Sequence, residues 1–146
     1  MTPFDPSIPL VTVTVLVVDD RSLARRLASR ILSEEGYRVL EADGADEALE
    51  VLAQARGRID LVILDVVLND GDGVALGHAI REQWPGRHLL YMSAFPAEVM
   101  VHYGMQTLDA PFLAKPFTRS ELIAKVEEAL ERGEGAAPER RRRARS

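Results

Sequence analysis

A chain of 146 residues, 47% hydrophobic and 28% charged, is long enough for one ordinary domain with a real core and short for two. The absence of cysteine excludes disulfides and thiolate metal sites, and no run approaches the ~18 apolar residues of a membrane span. The net charge of −5 divides into +3 on the last 14 residues and −8 on residues 1–132, an acidic body unsuited to duplex nucleic acid.

The N-terminus, "MTPFDPSIPLVTV", carries three prolines and no basic start, so residues 1–12 read as an extension and not as a secretory signal. Residues 13–18 are all apolar or β-branched and suit a strand covered on both faces. Residues 22–35 follow as a helix with Leu23, Leu27 and Ile31 on its inner face, joined by Ala24 and Ala28, and with Gly36 as its stop. Residues 38–42 form a short second strand. In "DGADEALEVLAQARG" the spacing predicts a helix with Asp43 as N-cap, Ala48, Leu49 and Leu52 inward, and Gly57 beyond its end.

Residues 61–64 make a third strand, followed by a polar loop, "NDGDG", in which Asp70 and Asp72 read as turn residues. Residues 74–83 are helical up to Pro85, and residues 88–92 are a fourth strand. Residues 97–103 are a poor helix between Pro96 and Gly104, the kind of weak segment expected to move. Residues 111–114 give a fifth strand. Residues 118–131 open with a capping box, Thr118 and Glu121, and place Leu122, Ile123, Val126 and Leu130 on one side. The domain therefore spans residues 13–132. Residues 133–146, five arginines among Gly, Ala and Pro, read as a solvated disordered tail. His78, His88 and His102 show no ligand spacing and read as surface or boundary residues, and Trp84, Met100 and Met105 read as packing.

Strands alternating with helices imply a doubly wound α/β fold, a parallel sheet with helices on both faces. In such folds ligands gather beyond the carboxyl ends of the strands. Asp19 and Asp20 end the first strand in "LVVDD", Asp65 ends the third in "DLVILD", Ser93 ends the fourth, and Lys115 ends the fifth. Three carboxylates at one rim repel, by about 4 kcal/mol per pair at ~4 Å and an effective dielectric of 20. A hard dication and an ammonium group relieve that repulsion. Mg²⁺ suits carboxylates, water and a phosphate oxygen, and Lys115 and Ser93 can contact a phosphoryl group. This is equipment for accepting a phosphoryl group on an aspartate.

From about residue 13 to residue 130 the chain resembles a response-regulator receiver domain of bacterial two-component signalling. The matching elements are "VLVVDD", "LVILDVVLNDGDG", "LLYMSAF" and "FLAKPF", with Asp20 to Asp65 at 45 residues, Asp65 to Ser93 at 28 and Ser93 to Lys115 at 22. The resemblance implies the flavodoxin-like five-stranded sheet of order 2-1-3-4-5. It implies Asp65 as phosphoacceptor, and Mg²⁺ held by Asp19, Asp20, Asp65 and the backbone carbonyl of Val67. Lys115, before a cis Pro116, is implied as the phosphoryl contact, with Ser93 and Phe112 as the switch pair. It further implies a sensor histidine kinase or histidine phosphotransfer protein as donor. Output runs through the fourth helix, fifth strand and fifth helix, to a downstream protein or a second copy in a homodimer, and no output domain is expected after residue 130. A cytoplasmic setting is expected.

The chain departs from the pattern at several positions. Asn69 stands where the family commonly has proline, Arg21 where it has an acidic or small polar residue, and Phe112 lacks a tyrosine hydroxyl. Val67 and Phe95 flank the expected path of attacking water and are expected to slow dephosphorylation. Two other functions compete. A phosphohydrolase with an aspartyl nucleophile needs an acid two residues after Asp65, where Val67 stands. A phosphorylation-independent interaction module would explain Asn69 and Arg21 as decay of the site.

Overall fold

The computed structural model describes residues 12–56, 58–104 and 108–132. The expected tail 133–146, nearly all of the N-terminal extension, Gly57 and Met105 lie outside them. Strands β1 (Thr14–Val18), β2 (Arg38–Ala42), β3 (Leu61–Asp65), β4 (His88–Ser93) and β5 (Phe112–Ala114) form one parallel sheet in the order β2-β1-β3-β4-β5. Helices α1 (Ser22–Glu34), α2 (Ala45–Gln54), α3 (Gly73–Gln83), α4 (Pro96–His102) and α5 (Arg119–Glu131) connect and cover it. Two-residue segments, Val67–Leu68 and Gly71–Asp72, pair antiparallel within the loop after β3. This is the doubly wound fold expected from the alternation of elements, with the flavodoxin-like strand order that the resemblance implies.

Period-two alternation sorts the strand residues between two cores. Leu16, Val18, Val62, Leu64, Leu89 and Tyr91 face the layer of α2, α3 and α4, with Leu52, Ile80 and Val99 opposite them. Val15, Val17, Leu61, Ile63, Leu90 and Met92 face α1 and α5, against Leu32, Leu122 and Val126. Strands β3 and β4 are therefore buried throughout, and β1 from Val15 on, which explains their unbroken apolar runs. His88, expected at the surface or boundary, is fully buried instead. It opens β4, paired with Leu61 of β3, and so enters the sheet interior and not its surface. His78 and His102 are exposed, as expected.

Helix α1 corrects the expected inner face. Leu23 and Leu27 are 85% and 53% exposed, while Ala28, Ser29, Ile31 and Leu32 are buried. On the buried side Arg25 turns inward: its Nε donates to Glu41 at 2.8 Å and its Nη1 to the Asp19 carbonyl at 2.8 Å. Helix α2 also differs at its start. Its N-cap is Gly44, not Asp43, and the first amides are satisfied from a distance: Ala45 and Asp46 donate to the Asp70 carboxylate at 2.9 and 3.2 Å. A Cβ on Gly44 would lie 2.7 Å from Asp70 Oδ1, so glycine leaves room for that carboxylate. Those amides hold Asp70 below the usual carboxylate range. Asp72 likewise caps α3, accepting from Val74 N at 2.8 Å. At α4 the expected boundary shifts by one residue, with Pro96 as the first helical position, where proline is favoured. The capping box of Thr118 and Glu121 forms as expected.

Close approach of α3 to the sheet needs glycine. A Cβ on Gly77 would sit 1.9 Å from the buried Tyr91 hydroxyl oxygen and 2.8 Å from Cζ. Gly77→Ala is expected to destabilise the fold by about 2 kcal/mol, the size of overpacking penalties, and Tyr91→Phe in the same chain to recover part of the loss. Denaturant midpoints of the two single variants and the double variant measure this. Additive losses would refute the proposed clash.

Candidate functional site

Parallel strands deliver their last residues to one edge, and there the chain changes from apolar to charged. Asp19, immediately after β1, is fully buried, and Asp65, the last residue of β3, is nearly so. Lys115, just after β5, reaches between them: its Nζ donates to Asp19 Oδ2 at 2.6 Å and to Asp65 Oδ2 at 2.5 Å. The amide of Lys115 is fixed by the Ser93 carbonyl at 2.8 Å, and the Lys115–Pro116 peptide is cis.

The second oxygen of each carboxylate is taken by a local amide. Asp19 Oδ1 accepts from Arg21 N and Asp65 Oδ1 from Val67 N, both at 2.9 Å. Asp20 turns outward and accepts from Asn69 N at 2.6 Å, so it grips the loop that follows Asp65. Ser93 is buried, and its Oγ accepts from Phe95 N at 2.9 Å at the start of α4. Phe112 is partly buried against the core under α2, α3 and α4. Val67 and Phe95 are 59% and 51% exposed and line an apolar groove of about 360 Å³ with Val66, Val99 and Tyr103.

Burial pushes the Asp65 carboxyl above its ordinary value, and the Asp19 charge adds to that; hydrogen bonds from Lys115 and Val67 oppose it without overcoming it. Burial alone would lower the Lys115 pKa, but its hydrogen bonds to Asp19 and Asp65 prevail and raise it. The lysine thus keeps its charge securely, whereas Asp65 is an unusually basic carboxylate. The donors expected from the resemblance, Asp19, Asp20, Asp65 and the Val67 carbonyl, are all hard oxygen, chemistry that fits Mg²⁺ rather than a thiophilic metal. Among the described residues no three His, Cys, Asp or Glu side chains are grouped as a metal centre; Lys115 occupies the space between two of the carboxylates.

Residues 15–127 match the model of the response regulator receiver domain. The chain belongs to that family. Among its relatives, the sensor kinase CckA of Brucella abortus is 33% identical over 119 residues, 82% of this chain and 13% of the kinase. The KDP operon transcriptional regulatory protein KdpE of Escherichia coli is 35% identical over 118 residues, 81% of this chain and 51% of the regulator. The chain thus spans about half, or much less, of these curated relatives. Two solved receivers superpose well. One is the receiver domain of the hybrid histidine kinase CckA, with TM-score 0.67, 31% identity, and coverage of 80% of this chain and 98% of that one. The other is the receiver domain of NtrX from Brucella abortus, with TM-score 0.71, 36% identity and coverage of 80% and 98%.

In this receiver the structure brings Asp19, Asp65 and Lys115 into direct contact, hangs Asp20 on the adjoining loop, and sets Ser93 below the start of α4. Sequence reasoning missed Arg25, Asp70, Asp72 and Tyr103. Only Asp72 carried a usable signal, as an aspartate directly before an apolar helical pattern.

The raised Asp65 pKa has a definite consequence for stability. A carboxyl whose folded pKa exceeds its unfolded one binds its proton more tightly in the fold, so it lowers stability as pH rises through that interval. Asp65→Asn is therefore expected to raise Tm at pH 7, with the gain shrinking as pH falls from the raised folded pKa to the ordinary unfolded one and vanishing below it. Thermal melts of both proteins across pH 3–8 (roughly the carboxylate range and above) test the sign, and a variant less stable than wild type at pH 7 would contradict it.

Proposed function

We propose that this receiver is a phosphoacceptor switch in which Asp65 takes a phosphoryl group from a phosphohistidine on a sensor histidine kinase or histidine phosphotransfer protein. The observation that carries this reading is the direct bridge from Lys115 to both Asp19 and Asp65 at the C-terminal rim of the sheet. In the transfer, an Asp65 carboxylate oxygen forms the new bond to phosphorus while the bond from phosphorus to the donor imidazole nitrogen breaks, and the electron pair leaves on the imidazole. The raised basicity of Asp65 favours its role as nucleophile. Lys115, already charged in the pocket, neutralises the arriving phosphoryl oxygens. Mg²⁺, held by Asp19, Asp20, Asp65 and the Val67 carbonyl, would supply further neutralisation of that charge. Arg25 acts as a positioning residue, since its bond to the Asp19 carbonyl fixes the end of β1.

Signalling follows from the linkage at Ser93. Its hydroxyl now accepts the Phe95 amide, and turning it towards a phosphoryl oxygen releases the start of α4 and opens space for Phe112. The output surface in this reading is α4, β5 and α5, offered to a downstream protein or to a second copy of the chain in a cytoplasmic setting. The exposed Val101 on α4 gives that surface an apolar contact point.

Incubation with acetyl phosphate and Mg²⁺ followed by mass spectrometry is expected to show one added phosphoryl group in wild type and none in Asp65→Asn. No gain with any donor would favour a phosphorylation-independent interaction module. Steady phosphate release from an unrelated phosphoester would favour a hydrolase.

Val67 and Phe95 stand exposed over the groove beside Asp65, where their apolar side chains disfavour an ordered attacking water. The phosphoryl half-life is expected to shorten several-fold in Val67→Asn and Phe95→Lys, measured by decay of the phosphorylated mass. An unchanged half-life in both would remove this role.

A further inference from the structure

Tyr103, the C-cap of α4, donates its hydroxyl to Asp72 Oδ2 at 2.5 Å, while the other oxygen of the same carboxylate caps α3 through Val74 N. Asp72 pairs across the small antiparallel ladder with Val67, and the Val67 amide holds Asp65 Oδ1. A short chain of backbone and carboxylate bonds therefore runs from Asp65, through the loop that follows it, to the far end of α4.

We propose that the Tyr103–Asp72 hydrogen bond is a latch by which this loop and the C-terminal end of α4 hold each other, so that a change at Asp65 reaches α4 through it. The proposal rests on the reading of Asp65 as phosphoacceptor, and it places a second route beside the one through Ser93. Three features support it. Helix α4 has seven residues and only Val99 buried among them, so side-chain packing holds it weakly. Its start is pinned by Phe95 N to Ser93 Oγ and its end by Tyr103 to Asp72, which gives the helix two polar anchors at opposite ends. The apolar groove of about 360 Å³ between the loop and the helix is lined by Val66, Val67, Phe95, Val99 and Tyr103, and leaves room for α4 to shift.

A phenol donating to a carboxylate makes a charge-assisted bond, stronger than one between neutral groups. In keeping with that, the hydrogen bond to Asp72 pushes the Tyr103 hydroxyl up to about 12, so the donor keeps its proton at physiological pH.

The test is hydrogen–deuterium exchange followed by mass spectrometry on the full chain as wild type, Tyr103→Phe and Asp72→Ser, before and after treatment with acetyl phosphate and Mg²⁺. Tyr103→Phe keeps the ring and loses the bond. Asp72→Ser keeps a side-chain cap for α3 and loses the reach to Tyr103. Both variants are expected to speed exchange several-fold in residues 66–72 and in residues 97–103 of the unmodified protein. Both are also expected to shrink the exchange change that modification produces in residues 97–103. Exchange unaltered in either segment, or loosening of only one segment, would overturn the latch, as would equal responses to modification in wild type and Tyr103→Phe. A wild-type protein that gains no phosphoryl mass would instead overturn the phosphoacceptor reading. Mutual loosening of the two segments in the unmodified variants would still uphold the latch between them.

Discussion

Lys115 Nζ lies 2.6 Å from Asp19 Oδ2 and 2.5 Å from Asp65 Oδ2, and both carboxylates are buried at the end of a parallel sheet. Without that ammonium group, two like charges would face each other in a partly desolvated setting. At about 4 Å and an effective dielectric of 20, each pair repels by ~4 kcal/mol. The lysine makes the pocket tolerable, and its place just after β5 draws the outer strand and the rim of β4 to one point, through the bond from its amide to the Ser93 carbonyl. Neutralisation is uneven. Lys115 is held charged while Asp65 stays abnormally basic, a state suited to exchanging a hydrogen bond with lysine for a covalent bond to phosphorus.

The rest of the molecule serves that convergence. Two cores, one on each face of the sheet, fix β1, β3 and β4 as buried ribs whose last residues cannot drift. Around the rim, backbone amides do much of the positioning. Arg21, Val67 and Asn69 each donate to a carboxylate of the site, so the loops carry the acids as much as the strands do. Acids that read as loop filler, Asp70 and Asp72, cap α2 and α3 and so tie the loop after Asp65 to two helices. The segment after Asp65 is thereby connected in several directions, and α4, a short and lightly packed helix, is anchored at both ends.

Alternation of apolar runs with helical periods made the doubly wound class legible, because sheets buried on both faces demand unbroken apolar strands. The charged residues at strand ends made the rim legible too, since an acid closing a buried apolar strand is costly unless a counter-charge or a metal ion meets it there. Helix orientation was harder to read. In α1 the expected inner face kept Ile31 and Ala28 but lost Leu23 and Leu27, while Ser29 and Leu32 are buried instead and Arg25 turns inward to meet Glu41 and the Asp19 carbonyl. His88 was misplaced as well: it stands beside Leu61 of β3 inside the sheet, a placement that no local window shows.

The amino-acid sequence by itself determined which segments are strands and helices, the membership in the receiver family, and the set of acids, hydroxyl and lysine at the strand ends. The elements and the rim residues follow from periodicity and residue chemistry, which act over a few neighbours, whereas the family membership rests on the likeness of four ordered motifs to known receivers. Only the tertiary structure decided that Lys115 bridges Asp19 and Asp65, that Asp70 caps α2, and that Tyr103 reaches Asp72. Each of those contacts joins residues far apart in the chain or depends on the facing of a loop, and such contacts exist only once the sheet has brought the loops to one edge.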